Sequence, residues 1–457
     1  MLRECQMDKP AVFVVFGGTG DLAKKKLAPA FSALLYRKQL PLDSHLIGIA
    51  RRKMTDAEYK QFLVGAVSDE KMKKCIEATN IHYLPGNFDD SETFSRLREL
   101  LNAIDVRKKS LVFYLATSFK FFEIISQHLS EVSLCGRTRK DVKVAFEKPF
   151  GESKKSAKEL EKCLLKFFRE EQVFHVDHYL SKNTIMNIYI TKFLNPIVYE
   201  SLHRELVDRV EIVVDEDVGV GSRAGYYNNA GAIKDMIQSH LIQVLSLLLS
   251  DRPDELSPAK ISEQKLKVMK SLHVDKRARH VLGQYKSYKR ELKSFGLEDR
   301  GTETFARVWL ECHLRKWKGV KIMLQTGKKL EKKRGFIKVV YRRPQVRHAF
   351  KHEQPNELVF HLYPHENVEL LLNTLNPIEH SNLFHSSFLF CKECVFGPNT
   401  IDAYQILLLE ILNNRKDLFA SSKEIIEAWR VVEEFDELRN SIPLVYYKDS
   451  TPSEKIA

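Results

Sequence analysis

Between residues 174 and 184 the chain reads FHVDHYLSKNT, which sets His175, Asp177, His178, Tyr179 and Lys182 within eight positions. His178, Tyr179 and Lys182 are hydrogen-bond donors of the kind that hold a phosphate. Two histidines and an aspartate also suit a metal, and a histidine with a carboxylate suits a general base. Strand alternation would put His175, Asp177 and Tyr179 on one side and His178 on the other, unless the chain turns at Asp177. Spacing alone therefore leaves the roles open. Further on, AGAIKDMIQSHLIQVLSLLL places Asp235 and His240 on a helix with a wide apolar face. A histidine in that setting is ordinarily a hydrogen-bonded core residue. Its pKa range also suits a base that takes a hydroxyl proton as hydride leaves, and such a base needs a carboxylate to orient its ring.

Three more stretches bear on chemistry. In FGGTGDLAKKK, Gly17, Gly20 and Ala23 follow an apolar run and open a helix, so a pyrophosphate can approach backbone amides at a helix N-terminus. The Gly-Lys-Ser/Thr of a nucleotide-hydrolysing P-loop is missing. At the end of the next strand, where an acidic residue would hold a free ribose hydroxyl, the chain has GIARRK. Arg51 and Arg52 there point to a 2′-phosphate, hence NADP rather than NAD; a solvated basic turn is the alternative. FEKPFG puts Lys148 at a strand end, where open α/β sheets bind ligands, or else leaves it a surface lysine.

These side chains need a frame. From Ala11, apolar runs (AVFVVF, SHLIGIAR, NIHYLPGNF, SLVFYLAT, VKVAFEKP) alternate with helical patterns, which predicts a Rossmann-type, doubly wound parallel sheet over residues 1–178. Beyond it, longer strands such as VDRVEIVVDED, FARVWLECHL, VKIMLQTG, GFIKVVYRR and NELVFHLYP predict a larger α+β domain, residues 179–457, with a mostly antiparallel sheet. The stretch 251–300 reads as charged and helical. The fold class is α/β, in two domains, as expected for 457 residues.

A net charge of +13 is compatible with an anionic partner without choosing one. Seven cysteines without regular spacing argue against a disulfide framework, and Cys391 and Cys394 have no second ligand pair for zinc, so no metal is expected. The N-terminus lacks an apolar region with a cleavage site, and VLSLLLS is too short to cross a bilayer, so a cytoplasmic location without membrane contact is expected.

Taken in order, GGTGDLAKKK, IAR, EKPFG, DHYLSK, DEDVGVGSRAGYYNNAGAIKDMIQSHLIQ, TGKKLEKKR, NELVF and DAYQILLLE resemble the glucose-6-phosphate dehydrogenase family over roughly residues 11–435. The resemblance implies oxidation of glucose 6-phosphate at C1 to 6-phosphogluconolactone, the entry step of the oxidative pentose phosphate pathway, with NADP+ taking the hydride. It implies that His240 is the base and Asp177 its carboxylate partner. His178, Tyr179 and Lys182 would bind the sugar phosphate, with Lys328 and Lys333 lending charge; Glu216 and Asp235 would hold sugar hydroxyls. Lys148 would contact sugar and coenzyme, Gly17, Gly20, Asp21, Leu22 and Lys24 would form the dinucleotide turn, and Arg51 would meet the 2′-phosphate. It further implies a homodimer or homotetramer.

Three departures stand out. His175 replaces the arginine that usually opens the DHY block, and Asn228 and Asn229 replace a common aspartate–glutamate pair, which leaves a related sugar phosphate as an alternative substrate. The segment 361–369 departs from the pattern associated with a second, structural NADP site. Two other readings compete with this one. A short-chain reductase needs YxxxK early in the chain, and Tyr285 to Lys289 is the notable match. A non-catalytic nucleotide- or RNA-binding protein predicts loss of the base, its carboxylate or the phosphate lysine, and all three are present, so no nucleic acid is expected.

Overall fold

The computed structural model describes residues 9–136, 139, 141–177, 179–181, 183–346, 350–391, 394–395 and 401–456. The expected phosphate ligands His178 and Lys182 lie outside the described residues. The chain divides into a unit of residues 1–181 with 401–422 and a unit of 182–400 with 423–457.

The first unit is built on six strands: β1 (Ala11–Phe16), β2 (His45–Ala50), β3 (Asn80–Pro85), β4 (Ser110–Leu115), β5 (Lys143–Glu147) and β6 (Val173–Val176). They are parallel throughout, in the order β3-β2-β1-β4-β5-β6. All six residues of β1 are buried, as an apolar run covered on both faces requires. The order reverses between β1 and β4, and the crevice above such a switch point is where these sheets bind ligands. The last part of the unit returns from far along the chain. The helix Ala403–Leu412, apolar on nearly every side and N-capped by Asp402, packs on the helix Ala28–Tyr36 and on β4 and β5. A division into consecutive segments at residue 178 does not provide for this return, because only burial, not local pattern, assigns the helix to the first sheet.

The second unit carries a ten-stranded sheet: β7 (Val207–Asp215), β8 (Leu272–Val274), β9 (Val281–Tyr285), β10 (Phe305–Cys312), β11 (Lys321–Gly327), β12 (Arg334–Tyr341), β13 (Glu357–Tyr363), β14 (Asn367–Leu375), β15 (Leu383–Cys391) and β16 (Leu444–Tyr447). The order is β15-β14-β13-β12-β7-β11-β10-β9-β16, with β8 beside β10. Most pairs are antiparallel, as expected; β7 with β11 and β9 with β16 are parallel. The stretch 251–300 is not simply helical, since β8 and β9 lie within it. Tyr285 and Tyr288 are fully buried in a cluster with Tyr227, Phe305 and Tyr447, and that burial draws a charged sequence into the sheet. Cys391 and Cys394 are joined by a disulfide.

Candidate active site

In the first unit the glycine turn closes over the end of β1. Gly17 adopts φ +87°, and a Cβ there would stand 2.5 Å from the Ala116 carbonyl oxygen, so only glycine fits. Its amide donates to Ile49 O at 2.8 Å, and the Gly20 amide donates to Gly17 O at 2.9 Å. The π-helical turn Ala23–Leu27 follows and runs into Ala28–Tyr36. The first amides of this helical run lack intrahelical acceptors and suit an anion. Leu22 is half-buried; Asp21 is exposed and pairs with Lys25 at 3.2 Å, a contact worth little in water. Lys24 lies 5.3 Å above the Phe62 ring. Arg51 is exposed directly after β2. A bare backbone cradle with a cation at the neighbouring strand end fits a dinucleotide that carries a 2′-phosphate.

At the next strand ends stand Glu147, Lys148 and, after a cis peptide bond, Pro149. Tyr114 at the β4 end donates to Glu147 Oε1 at 2.5 Å. The Glu147 carboxyl is pushed up to about 7, chiefly by burial and also by the Asp177 charge, against the pull of Tyr114 and Lys148. β6 stops at Val176 and the chain turns at Asp177: Tyr179 N donates to Asp177 Oδ1 at 2.9 Å and Leu180 N to Asp177 O at 3.1 Å. Alternation thus ends one residue before the carboxylate. His175, without an assigned role in the sequence, is buried edge-on to Phe150 and bridges to Ala420 of the returning segment. Burial, with Lys416 close by, holds its pKa down at about 4.

These two groups pull stability in opposite directions as pH changes. His175 titrates near 4 instead of 6.5, so its contribution is full above 6.5 and is lost as pH falls towards 4. Glu147 titrates near 7 instead of 4.5, so its contribution is full below 4.5 and is lost as pH rises to 7. Each displacement corresponds to about 3 kcal/mol. Glu147→Gln is therefore expected to steepen acid destabilisation between pH 6.5 and 4, and His175→Gln to leave stability falling as pH rises from 4.5 to 7. Urea midpoints across that pH range check this; parallel profiles for all three proteins would contradict it.

The second unit holds another polar group of residues. Because β7 and β11 run parallel with Asp215 opposite Gly327, the residues just beyond them, Glu216 and Lys328, emerge side by side and form an ion pair. Lys328 Nζ lies 5.3 Å over the Tyr227 ring. Asp235, buried, accepts from Arg223 Nη2 at 3.0 Å, and Glu216 also favours the Arg223 charge. His240 is fully buried. It shares with Asp235 the helix Ile233–Leu241, which is π-helical rather than α-helical. Lys333 is exposed, 5.7 Å over the Tyr363 ring. Two carboxylates each held by a cation are equipped to bind a polyol in fixed orientation.

Sequence reasoning passed over Arg223, Arg334 and Asp215. Arg223 stood in the GVGSRAGYY stretch, but nothing local tied it to Asp235. Asp215 is buried and accepts from Arg334 Nε at 3.0 Å, Gln325 Nε2 at 3.0 Å and Ser453 Oγ at 2.7 Å, partners scattered over the sequence. Asn228 donates to Glu298 O at 2.7 Å and Asn229 to Gly225 O at 2.8 Å, so both amides tie down their surroundings. Tyr285 OH is taken by Glu291 at 2.5 Å and Lys289 pairs with Asp299 at 3.8 Å, so the two do not make a reductase pair. Among the described residues no group of three or more His, Cys, Asp or Glu stands close enough to hold a metal ion.

A six-stranded parallel sheet with a glycine turn at its switch point, joined in one chain to a mixed sheet bearing paired carboxylates and cations, defines a dinucleotide-dependent dehydrogenase. Residues 14–187 match the family described as glucose-6-phosphate dehydrogenase, NAD binding domain, and residues 189–456 its C-terminal domain. The chain belongs to the glucose-6-phosphate dehydrogenase family, whose coenzyme is NADP. It is 33% identical over 449 residues to glucose-6-phosphate 1-dehydrogenase 2 of Mycobacterium bovis, covering 93% of this chain and 87% of the relative. With the Borreliella burgdorferi glucose-6-phosphate 1-dehydrogenase it shares 32% over 92% of this chain and 90% of the relative. A solved glucose-6-phosphate dehydrogenase in complex with glucose 6-phosphate superposes with a TM-score of 0.88 at 26% identity, covering 98% of this chain and 96% of the other.

Proposed function

We propose that this chain oxidises the C1 hydroxyl of glucose 6-phosphate to the 6-phosphogluconolactone, with NADP+ as coenzyme. The observation that carries the reading is the family match along both units, including the likeness to a substrate complex. NADP+, when bound, supplies the hydride acceptor. The glycine turn and Arg51 hold it, and Lys148 at the β5 end adds a cation beside it. His240 takes the C1 hydroxyl proton as charge develops at the carbon, with Asp177 as the carboxylate that orients its ring. Glu216 and Asp235, steadied by Lys328 and Arg223, fix the sugar hydroxyls. Tyr179, His178 and Lys182, with Lys328 and Lys333, receive the phosphate and so bring C1 into place. Steady-state assay of nicotinamide reduction, with glucose 6-phosphate against its C2 and C4 epimers, tests the substrate. A higher kcat/KM for an epimer would displace this reading.

Coenzyme selectivity has its own test. Arg51→Glu replaces a guanidinium beside the 2′-phosphate with a like charge, and charge-assisted hydrogen bonds are worth about 1.5–3 kcal/mol. KM for NADP+ is expected to rise about 10- to 100-fold with that for NAD+ nearly unchanged. An equal rise for both coenzymes would remove Arg51 from the 2′-phosphate.

We further read the chain as a cytoplasmic homodimer or homotetramer. Phe384, Phe388, Leu389 and Phe390 are exposed on β15, the last strand of its sheet among the described residues, an apolar edge suited to a second copy. No helix among the described residues is long and apolar enough to cross a membrane. Light scattering at micromolar concentration gives the assembly size.

A further inference from the structure

Asp235 and His240 are five residues apart. On an α-helix that spacing separates side chains by about 140° around the axis. In the helix Ile233–Leu241 the backbone instead bonds i to i+5, continuing to the Ile242 amide on Ile237 O, and five-apart residues come onto the same side. Such a register is rare and frequently found at functional sites, so something must impose it here. At the start of the helix, Gly231 (φ 66°, ψ −178°) breaks the preceding helix. A Cβ at Gly231 would lie 2.3 Å from Glu303 Oε1. Glu303, fully buried at the entry to β10, bonds the helix start twice: its backbone carbonyl accepts from Ala232 N at 3.1 Å, and its Oε1 from Ile233 N at 3.2 Å. Its other carboxylate oxygen pairs with Arg439 at the end of the helix Ser422–Arg439. Within the turn, Ser239 Oγ donates to Asp235 O at 2.7 Å, a back-bond of the kind that bends helices.

We infer that Glu303, clamped by Arg439, is a positioning residue that sets the π register of Ile233–Leu241 and thereby places Asp235 and His240 together for the reaction. The inference rests on the proposed roles of His240 and Asp235. Burying a carboxylate in this way is costly unless it is paired, and Arg439 provides the pair. Without it the helix start is free to relax to the α register, which turns His240 away from Asp235.

Glu303→Gln, Glu303→Ala, Arg439→Met and Arg439→Lys are compared with His240→Asn by steady-state kinetics, normalised to folded protein by circular dichroism. In Glu303→Ala and Arg439→Met, kcat is expected to fall at least about 10-fold and KM for glucose 6-phosphate to rise, with KM for NADP+ within about twofold. Arg439→Lys, which keeps the charge, should recover most of the loss. Should Glu303→Ala fail to fold, Glu303→Gln and the Arg439 pair carry the test. Unchanged kcat per folded molecule in Glu303→Gln and Arg439→Met, alongside an inactive His240→Asn, overturns the clamp alone. An active His240→Asn overturns the assignment of the base, and the clamp's purpose with it.

Discussion

His240→Asn is expected to lower kcat by about 10²–10⁴-fold, the usual worth of a general base, while KM for glucose 6-phosphate stays within about threefold. Asparagine is smaller but keeps a donor and an acceptor close to the imidazole Nδ1 position, so a fully buried position such as this one keeps a polar group able to hydrogen-bond. What it cannot do is accept a proton near neutral pH. The carbon that loses hydride builds positive charge, and the barrier falls only if the hydroxyl proton leaves as that charge grows. Asp177→Asn should give a smaller loss in the same parameter, because it removes the group that orients the imidazole and stabilises its charged form. Near wild-type turnover in His240→Asn would remove His240 from the chemistry.

Replacing His175 by arginine is expected to destabilise the protein by about 3–5 kcal/mol, the effect of an uncompensated buried charge. In the sequence the change looks harmless, because the family resemblance implies an arginine at the head of the DHY block. The fold gives the opposite expectation. His175 is 7% exposed and held neutral beside Lys416, whose own amine is pushed down to about 8 by burial. Lys416 donates to the carbonyls of Glu170 and Val173 and lies 5.0 Å over the Phe174 ring, pinning the returning segment to β6. A guanidinium at 175 would repel it and pry that segment loose. Urea denaturation measures the loss, and Lys416→Glu in the same chain should restore about 1–3 kcal/mol as a coupled pair. Wild-type stability in the single variant would show that the pocket supplies a counter-charge after all.

The first unit was largely legible because its rules are local. Each buried parallel strand is a short apolar run, each helix follows within a few residues, and the glycine turn marks the start of the sheet. Much of the second unit was legible strand by strand but not as an arrangement. That β7 lies parallel to β11 and antiparallel to β12 follows from packing over more than a hundred residues of sequence, and only that pairing brings Glu216 beside Lys328. The charged stretch 251–300 misled for the same reason: β8 and β9 are strands because β10 offers them an edge, not because their sequence alternates.

The amino-acid sequence alone supplied the candidates: donors for a phosphate, a cation at a strand end, a histidine and several carboxylates, whose roles residue type and spacing left open and the family resemblance assigned. How those groups are held depends on contacts made through space. Arg223 on Asp235, Glu303 under Gly231, Arg439 behind Glu303 and Lys416 beside His175 join residues distant along the chain. A buried charge must find its partner in space, and sequence distance carries no information about which partner that will be.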